Sequence, residues 1–289
     1  MILNLDENIA LKQFRSGMST FVWDETKPFP WTQFGIFETL KICQLIRTNQ
    51  YENHVNEVSY KEDNSPATLL EEKIEEQLSE NLSKLPDNPN LIGEESGGEF
   101  KGEGLEVAID PIDGTRAFLT GSNSYSTAIS FFKDGLTFLS LVGNPSTGEI
   151  FYSAAGKSSR IITLSFAREI DYAYPLPLKG HDQDKILLDV HPSRRASRLF
   201  QTFFDSWDQN KIRMLRSSGG SPSLALSEAA KGHYIYINLW ANAPTSPFDL
   251  SAGAHILQSS GGFLLNREGK TIDPLKHEGI FFAGHNKNS

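Results

Sequence analysis

Residues 110–115 read Asp-Pro-Ile-Asp-Gly-Thr, two carboxylates three positions apart with Gly-Thr directly behind them. The segment before, Leu105-Glu-Val-Ala-Ile109, alternates and then turns apolar like a buried strand, and Pro111 removes a ladder donor and ends it. Asp110 is therefore expected at a strand end. Asp113-Gly114-Thr115 has the composition of a helix N-terminus, where Asp or Thr caps free amides and glycine permits close approach. Such amides bind phosphate. The segment thus offers hard oxygen ligands suited to magnesium on one side and an oxyanion cradle on the other, the two parts that phosphoryl chemistry requires. Asp-Pro and Asp-Gly are also ordinary turn dipeptides, so for the hexapeptide alone a capped loop without chemistry is the alternative.

Two further segments bear on that choice. Gly93-Glu94-Glu95-Ser96-Gly97 follows Asn90-Leu-Ile92, another short apolar run ending in acids and glycines. Pro247-Phe-Asp249-Leu-Ser-Ala-Gly253 opens a helical stretch, Ala252 to Gln258, that stops at Gly261-Gly262. With these in place the chain resembles the inositol monophosphatase family of magnesium-dependent phosphatases, whose motifs are GEE, DPIDGT and a later (W)D-x-A-A-G. Order and spacing match, Asp110 to Thr115 is identical, and the resemblance runs from about Lys61 to Gly262.

The resemblance implies an α/β fold, a layered α-β-α-β-α sandwich with a mixed antiparallel front sheet and a smaller back sheet. It implies magnesium, two or three ions to a site, and lithium sensitivity. Glu94, Asp110 and the carbonyl of Ile112 look like ligands of a first ion, and Asp110, Asp113 and Asp249 like those of a second. Carboxylates gathered at one locus repel unless cations neutralise them, so this cluster predicts metal. Asp249 is equally placed to cap the helix behind it. The Gly114 and Thr115 amides would hold phosphate oxygens. In the family a Thr hydroxyl at the Thr115 position, paired with an acid, orients the attacking water, and here that acid is Glu71 where the family usually has Asp. Thr68-Leu-Leu-Glu71 also reads as a capping box.

For the substrate, Lys61-x-Asp63-x-Ser65-Pro66-x-Thr68 resembles the histidinol-phosphate phosphatase and 3'(2'),5'-bisphosphate nucleotidase versions of this region, and Arg116-Ala-Phe118 and Phe248-Asp249 lean toward the histidinol branch. The strand ending near Asn238 lacks the acid that the family normally carries before its last metal ligand. Its face of Tyr234, Tyr236 and Asn238 is set to stack on a ring or to pack in a core. Ser221, in Gly219-Gly-Ser-Pro222, matches a helix start that approaches substrate. His191, Arg194, Arg195 and Arg216 are contacts for a second anion or else solvated charges. The expected activity is magnesium-dependent hydrolysis of a small phosphorylated metabolite, an inositol monophosphate or similar polyol phosphate. Histidinol phosphate and a nucleotide bisphosphate are the alternatives, and Glu71 and Asn238 keep open a noncatalytic member that binds a phosphorylated ligand.

The 289 residues carry 27 Lys and Arg against 36 Asp and Glu, a net charge of −9, which disfavours binding to nucleic-acid polymers. One cysteine, Cys43, forbids an internal disulfide framework. No apolar run approaches the ~20 residues that span a bilayer, and the start lacks a basic n-region. A cytoplasmic protein is expected; the sequence gives no oligomer interface, and a homodimer is an option only through the resemblance, since family members are often dimers. Residues 1–34 read as an irregular arm, Ile36 to Tyr51 and Leu70 to Leu82 as helices, and 125–154 as antiparallel hairpins. Strands at Lys185–Val190 and His233–Leu239 alternate with helices around 199–207 and from Pro222 to Gly232. An N-terminal α+β subdomain over 1–158 and a C-terminal α/β subdomain over 159–289 would complete the site together.

Overall fold

The computed structural model describes residues 3–286 except 28, 52–57, 61–65, 156–158, 164–171, 179–184, 190–193, 210 and 240–245. A seven-stranded sheet runs in the order β3-β4-β5-β6-β7-β8-β9. Its strands are β3 (Asn90–Gly93), β4 (Leu105–Asp113), β5 (Ser126–Lys133), β6 (Leu136–Asn144), β7 (Glu149–Ala154), β8 (Arg160–Thr163) and β9 (Tyr172–Pro175). Only β3 pairs in parallel, with β4; the other pairings are antiparallel. The hairpin between β5 and β6 turns at Asp134 and Gly135, both at positive φ (49° and 78°), the backbone that a tight twisted turn requires.

Period-two alternation divides this sheet between two cores. Val107, Ile109, Ile129, Phe131, Leu139 and Leu141 face an outer helical layer of α1 (Leu5–Arg15), α2 (Pro30–Tyr51) and α3 (Leu69–Leu82). Ala128, Val142, Phe151 and Ile161 face α6 (Pro222–Ala230) and α7 (Ser251–Ser259). Those two helices lie between the sheets. Beyond them is a five-stranded sheet ordered β11-β10-β12-β14-β13, built from β10 (Lys185–Asp189), β11 (Met214–Ser217), β12 (Ile235–Asn238), β13 (Phe263–Asn266) and β14 (Phe281–Gly284). Its outer face, with Ile186, Leu188 and Ile237, packs against Phe203 of α5 (Arg194–Asp208). The expected α-β-α-β-α layering is thus present. A small hairpin of β1 (Val58–Tyr60) and β2 (Pro66–Thr68) leads into α3.

The N-terminal arm is not irregular, because it contains α1. Asn4 and Glu7 form a reciprocal capping box at its start. Glu7 is fully buried and its carboxylate accepts from Arg160 Nε at 2.7 Å and from the Tyr152 hydroxyl at 2.8 Å, tying α1 to β7 and β8. The passage from the first sheet to the second falls between Pro175 and Lys185, later than the boundary read near residue 158, because β8 and β9 extend the edge of the first sheet.

Candidate active site

Asp110 and Asp113 lie on β4, where the register jumps. Asp110 pairs with Ala128 and Asp113 with Ser126, three steps on one strand against two on the other. Pro111 cannot donate to the ladder, so the strand bulges there and runs through Asp113 instead of stopping at Asp110. Both aspartates are buried. Gly114 follows at φ 94°, and a Cβ there would come to 3.2 Å from the Ser124 carbonyl and from Ser221 Cβ. Only glycine lets the Gly219-Gly220-Ser221 loop close over it. α4 (Thr115–Leu119) begins directly behind.

Three elements deliver the remaining groups. The Thr115 hydroxyl lies 2.9 Å from Glu71 Oε1 and 3.0 Å from the Ile112 carbonyl. It carries one proton, and the carboxylate is the stronger acceptor. Glu71 Oε2 accepts from the Thr68 amide at 2.7 Å and from the Thr68 hydroxyl at 2.9 Å. The capping box and the contact with Thr115 therefore coexist on one carboxylate. Burial pushes Glu71 up to about 7, against the pull of its hydrogen bonds. Glu94 follows β3, its amide donating to the Ile109 carbonyl at 3.2 Å, and its carboxyl is in hydrogen-bonding contact with Asp110.

Asp249 sits on the 246–249 turn, which Phe248 anchors against Ile92, Ala108 and Phe132. Asp249 is not the cap of α7. That position is Leu250, with no side-chain bond, and Asp249 Oδ2 takes the Ser246 amide at 2.5 Å.

Ser221 turns inward instead of toward a substrate. Fully buried, it caps α6, accepting from the Leu224 amide at 3.3 Å, and donates to Asp113 Oδ2 at 2.7 Å. The Ser223 amide reaches the same oxygen at 2.8 Å, so the α6 N-terminus holds Asp113. Asn238 is also buried, donating to the Tyr236 hydroxyl at 3.1 Å, and Tyr236 packs on Phe281. Arg216 is not brought to the carboxylates: it stands exposed on the edge strand β11, with Nη1 3.3 Å from the Tyr234 hydroxyl. His191 lies outside the described residues, as does 240–245, and of Arg194 and Arg195 only the helical backbone is described.

Two acids escaped the sequence reading. Asp189 ends β10 in register with Asn238, buried, its Oδ2 3.3 Å from the Tyr236 hydroxyl. The signal was present, since Ile186-Leu-Leu-Asp189 is an apolar run ending in an acid like the runs before Glu94 and Asp110. Glu75, one turn beyond Glu71, accepts from the Glu95 amide at 2.9 Å and the Ser96 amide at 2.7 Å.

The donor set suits a hard cation. Asp110 Oδ1 is buried with no hydrogen-bond partner among the described residues, an arrangement that costs free energy unless something positive meets it. Burial first, then Glu94, Asp113 and Glu71, push Asp110 well above the usual carboxylate range, and burial likewise raises Asp113 despite its bonds to Ser221 and Ser223. Among the described residues no three His, Cys, Asp or Glu side chains already converge as a ready-made chelate. The serine and amide bonds to Asp113 and the Ser246 bond to Asp249 hold oxygens that a cation would have to share.

A sequence model described as the inositol monophosphatase family matches residues 31–288. The chain belongs to that family. A histidinol-phosphatase of Chlorobaculum parvum is 34% identical over 36% of this chain and 40% of its own length. The Arabidopsis thaliana bifunctional phosphatase IMPL2, chloroplastic, is 24% identical over 73% of this chain and 57% of its own. The chain thus aligns with less than two thirds of either. The crystal structure of the extragenic suppressor protein suhB from Bartonella henselae superposes with a TM-score of 0.69 at 20% identity, covering 87% of this chain and 92% of that one, a likeness of fold. No described helix is long and apolar enough to cross a membrane.

Proposed function

We propose that the chain hydrolyses small phosphomonoesters with magnesium held by Glu94, Asp110, Asp113, Asp249 and the Ile112 carbonyl. The observation that carries this reading is the buried Asp110 oxygen without a partner among the described residues, set among raised carboxylates in a chain of this family. Bound there, magnesium would make a water more acidic and stabilise the departing oxygen. The protein's own part is positioning and proton transfer. Thr115, its proton directed to Glu71 Oε1, turns a lone pair toward the attacking water and accepts that water's proton as its own passes to the carboxylate. An acid raised to about 7 is matched to taking up that proton near neutrality. The Gly114 and Thr115 amides would hold the phosphoryl oxygens, and Ser221 acts through Asp113 as a positioning residue.

For the substrate we take an inositol monophosphate or similar polyol phosphate. Histidinol phosphate is the second reading, supported by the 34% identity to a histidinol-phosphatase over 36% of this chain. The test is kcat/KM for inositol monophosphate, histidinol phosphate and adenosine 3',5'-bisphosphate under saturating magnesium. The polyol phosphate should lead. A lead for histidinol phosphate would transfer the assignment, and phosphate release from none of them would leave a ligand-binding member of the family.

A further inference from the structure

α3 contains Glu71, Glu72, Glu75, Glu76 and Glu80, yet only Glu71 and Glu75 are buried, four residues apart on one face. Glu71 is accounted for by Thr68 and Thr115. Glu75 touches neither, and a buried carboxylate is costly unless it is fully hydrogen-bonded. Its two oxygens are met by two consecutive backbone amides, those of Glu95 and Ser96. Those amides belong to the turn that follows β3, which closes on itself through Gly93 and Gly97, N to O at 2.9 Å one way and 3.1 Å the other. Glu94 is carried within that turn.

Gly93 supplies an independent observation. A Cβ there would lie 2.0 Å from Glu75 Oε2, so the carboxylate reaches the amides only because residue 93 has no side chain.

We infer that Glu75 is a positioning residue for metal binding: its carboxylate clamps the Gly93–Gly97 turn and so fixes Glu94 against Asp110. One helical turn of α3 then spans the site, with Glu71 setting the Thr115 hydroxyl and Glu75 setting the Glu94 ligand. The inference rests on the reading of Glu94 as a metal ligand. Outer groups that orient a ligand typically contribute about 10- to 100-fold in metal affinity.

The test is calorimetric titration of magnesium into the wild type, Glu75→Gln, Gly93→Ala and the surface control Glu76→Gln, with kcat measured at saturating magnesium. In Glu75→Gln an amide N–H confronts one backbone N–H, and in Gly93→Ala the carboxylate is intact but displaced. Both should weaken magnesium binding by about 10-fold or more, while Glu76→Gln matches the wild type in affinity and in kcat. Should Glu75→Gln fail to fold, Gly93→Ala gives the answer. Magnesium affinity unchanged in a folded variant would overturn the role of Glu75 alone, whereas a wild type that binds no magnesium would overturn the metal reading with it.

Discussion

Glu71 and Thr115, 44 positions apart in the sequence, meet at 2.9 Å through the Thr115 hydroxyl and Glu71 Oε1, while Glu71 Oε2 closes the first turn of α3 at Thr68. A helix cap and a proton acceptor are thereby joined in one carboxylate, and the cap immobilises the acceptor. Glu71→Gln retains an oxygen that can still cap but presents no anion to Thr115. We expect kcat to fall by roughly 100-fold or more, in the range of lost general-base catalysis, with Tm within a few degrees. An unchanged kcat would reduce Glu71 to its cap.

Asp110→Asn removes a carboxyl that burial and its acidic neighbours already push well above the usual carboxylate range. The metal-free variant should melt no lower than the wild type, and higher if repulsion outweighs the new amide's hydrogen-bonding needs. Its turnover and its magnesium-induced rise in Tm should both vanish. Differential scanning calorimetry with and without magnesium reads the melting and phosphate release reads the turnover, and a preserved magnesium shift would place the ion elsewhere.

Glu38 on α2 gives a pH dependence remote from the site. It accepts from Asn81 Nδ2 on α3 at 3.2 and 3.1 Å, and burial pushes it up to about 7 from 4.5, outweighing Asn81, Lys41 and Lys84. The folded state keeps this proton where the unfolded chain has lost it. Stability from this group is therefore present at low pH and declines as pH rises from about 4.5 to 7, by on the order of 3 kcal/mol. Relative to wild type, Glu38→Gln should gain stability between about pH 5 and 8 by urea titration; a difference constant across that range would contradict the buried proton.

The link from α1 is another buried charge. Glu7→Ala leaves Arg160 and the Tyr152 hydroxyl without their common acceptor, and breaking such a pair costs about 3 to 5 kcal/mol. Chemical denaturation should show that loss with KM and kcat unchanged. A loss under about 1 kcal/mol would mean that α1 is held by its apolar face alone.

What was legible in the sequence was contiguous chemistry. Asp110 to Thr115 carries its ligands, turn and helix start within six positions, and the hairpins of 125–154 announce themselves by alternation and glycine turns. What was not legible depends on chain crossings. Ser221 matched a helix start that approaches substrate, whereas α6 aims it at Asp113, and Glu75 was indistinguishable in sequence from the exposed Glu72 and Glu76. Arg216 sat close to Ser221 in the chain, yet its place on the edge strand β11 leaves it exposed beside Tyr234. α1 was missed although its capping box, Asn4 with Glu7, was written in the same code as Thr68 with Glu71.

Magnesium held by these carboxylates is proposed to drive phosphomonoester hydrolysis. The most direct measurement is phosphate release from a generic aryl phosphate by chelator-treated protein as magnesium is added back. No release is expected at first, then a saturable rise with magnesium that Asp110→Asn fails to show. Release at full rate in the presence of chelator, or equal release by Asp110→Asn, would contradict it.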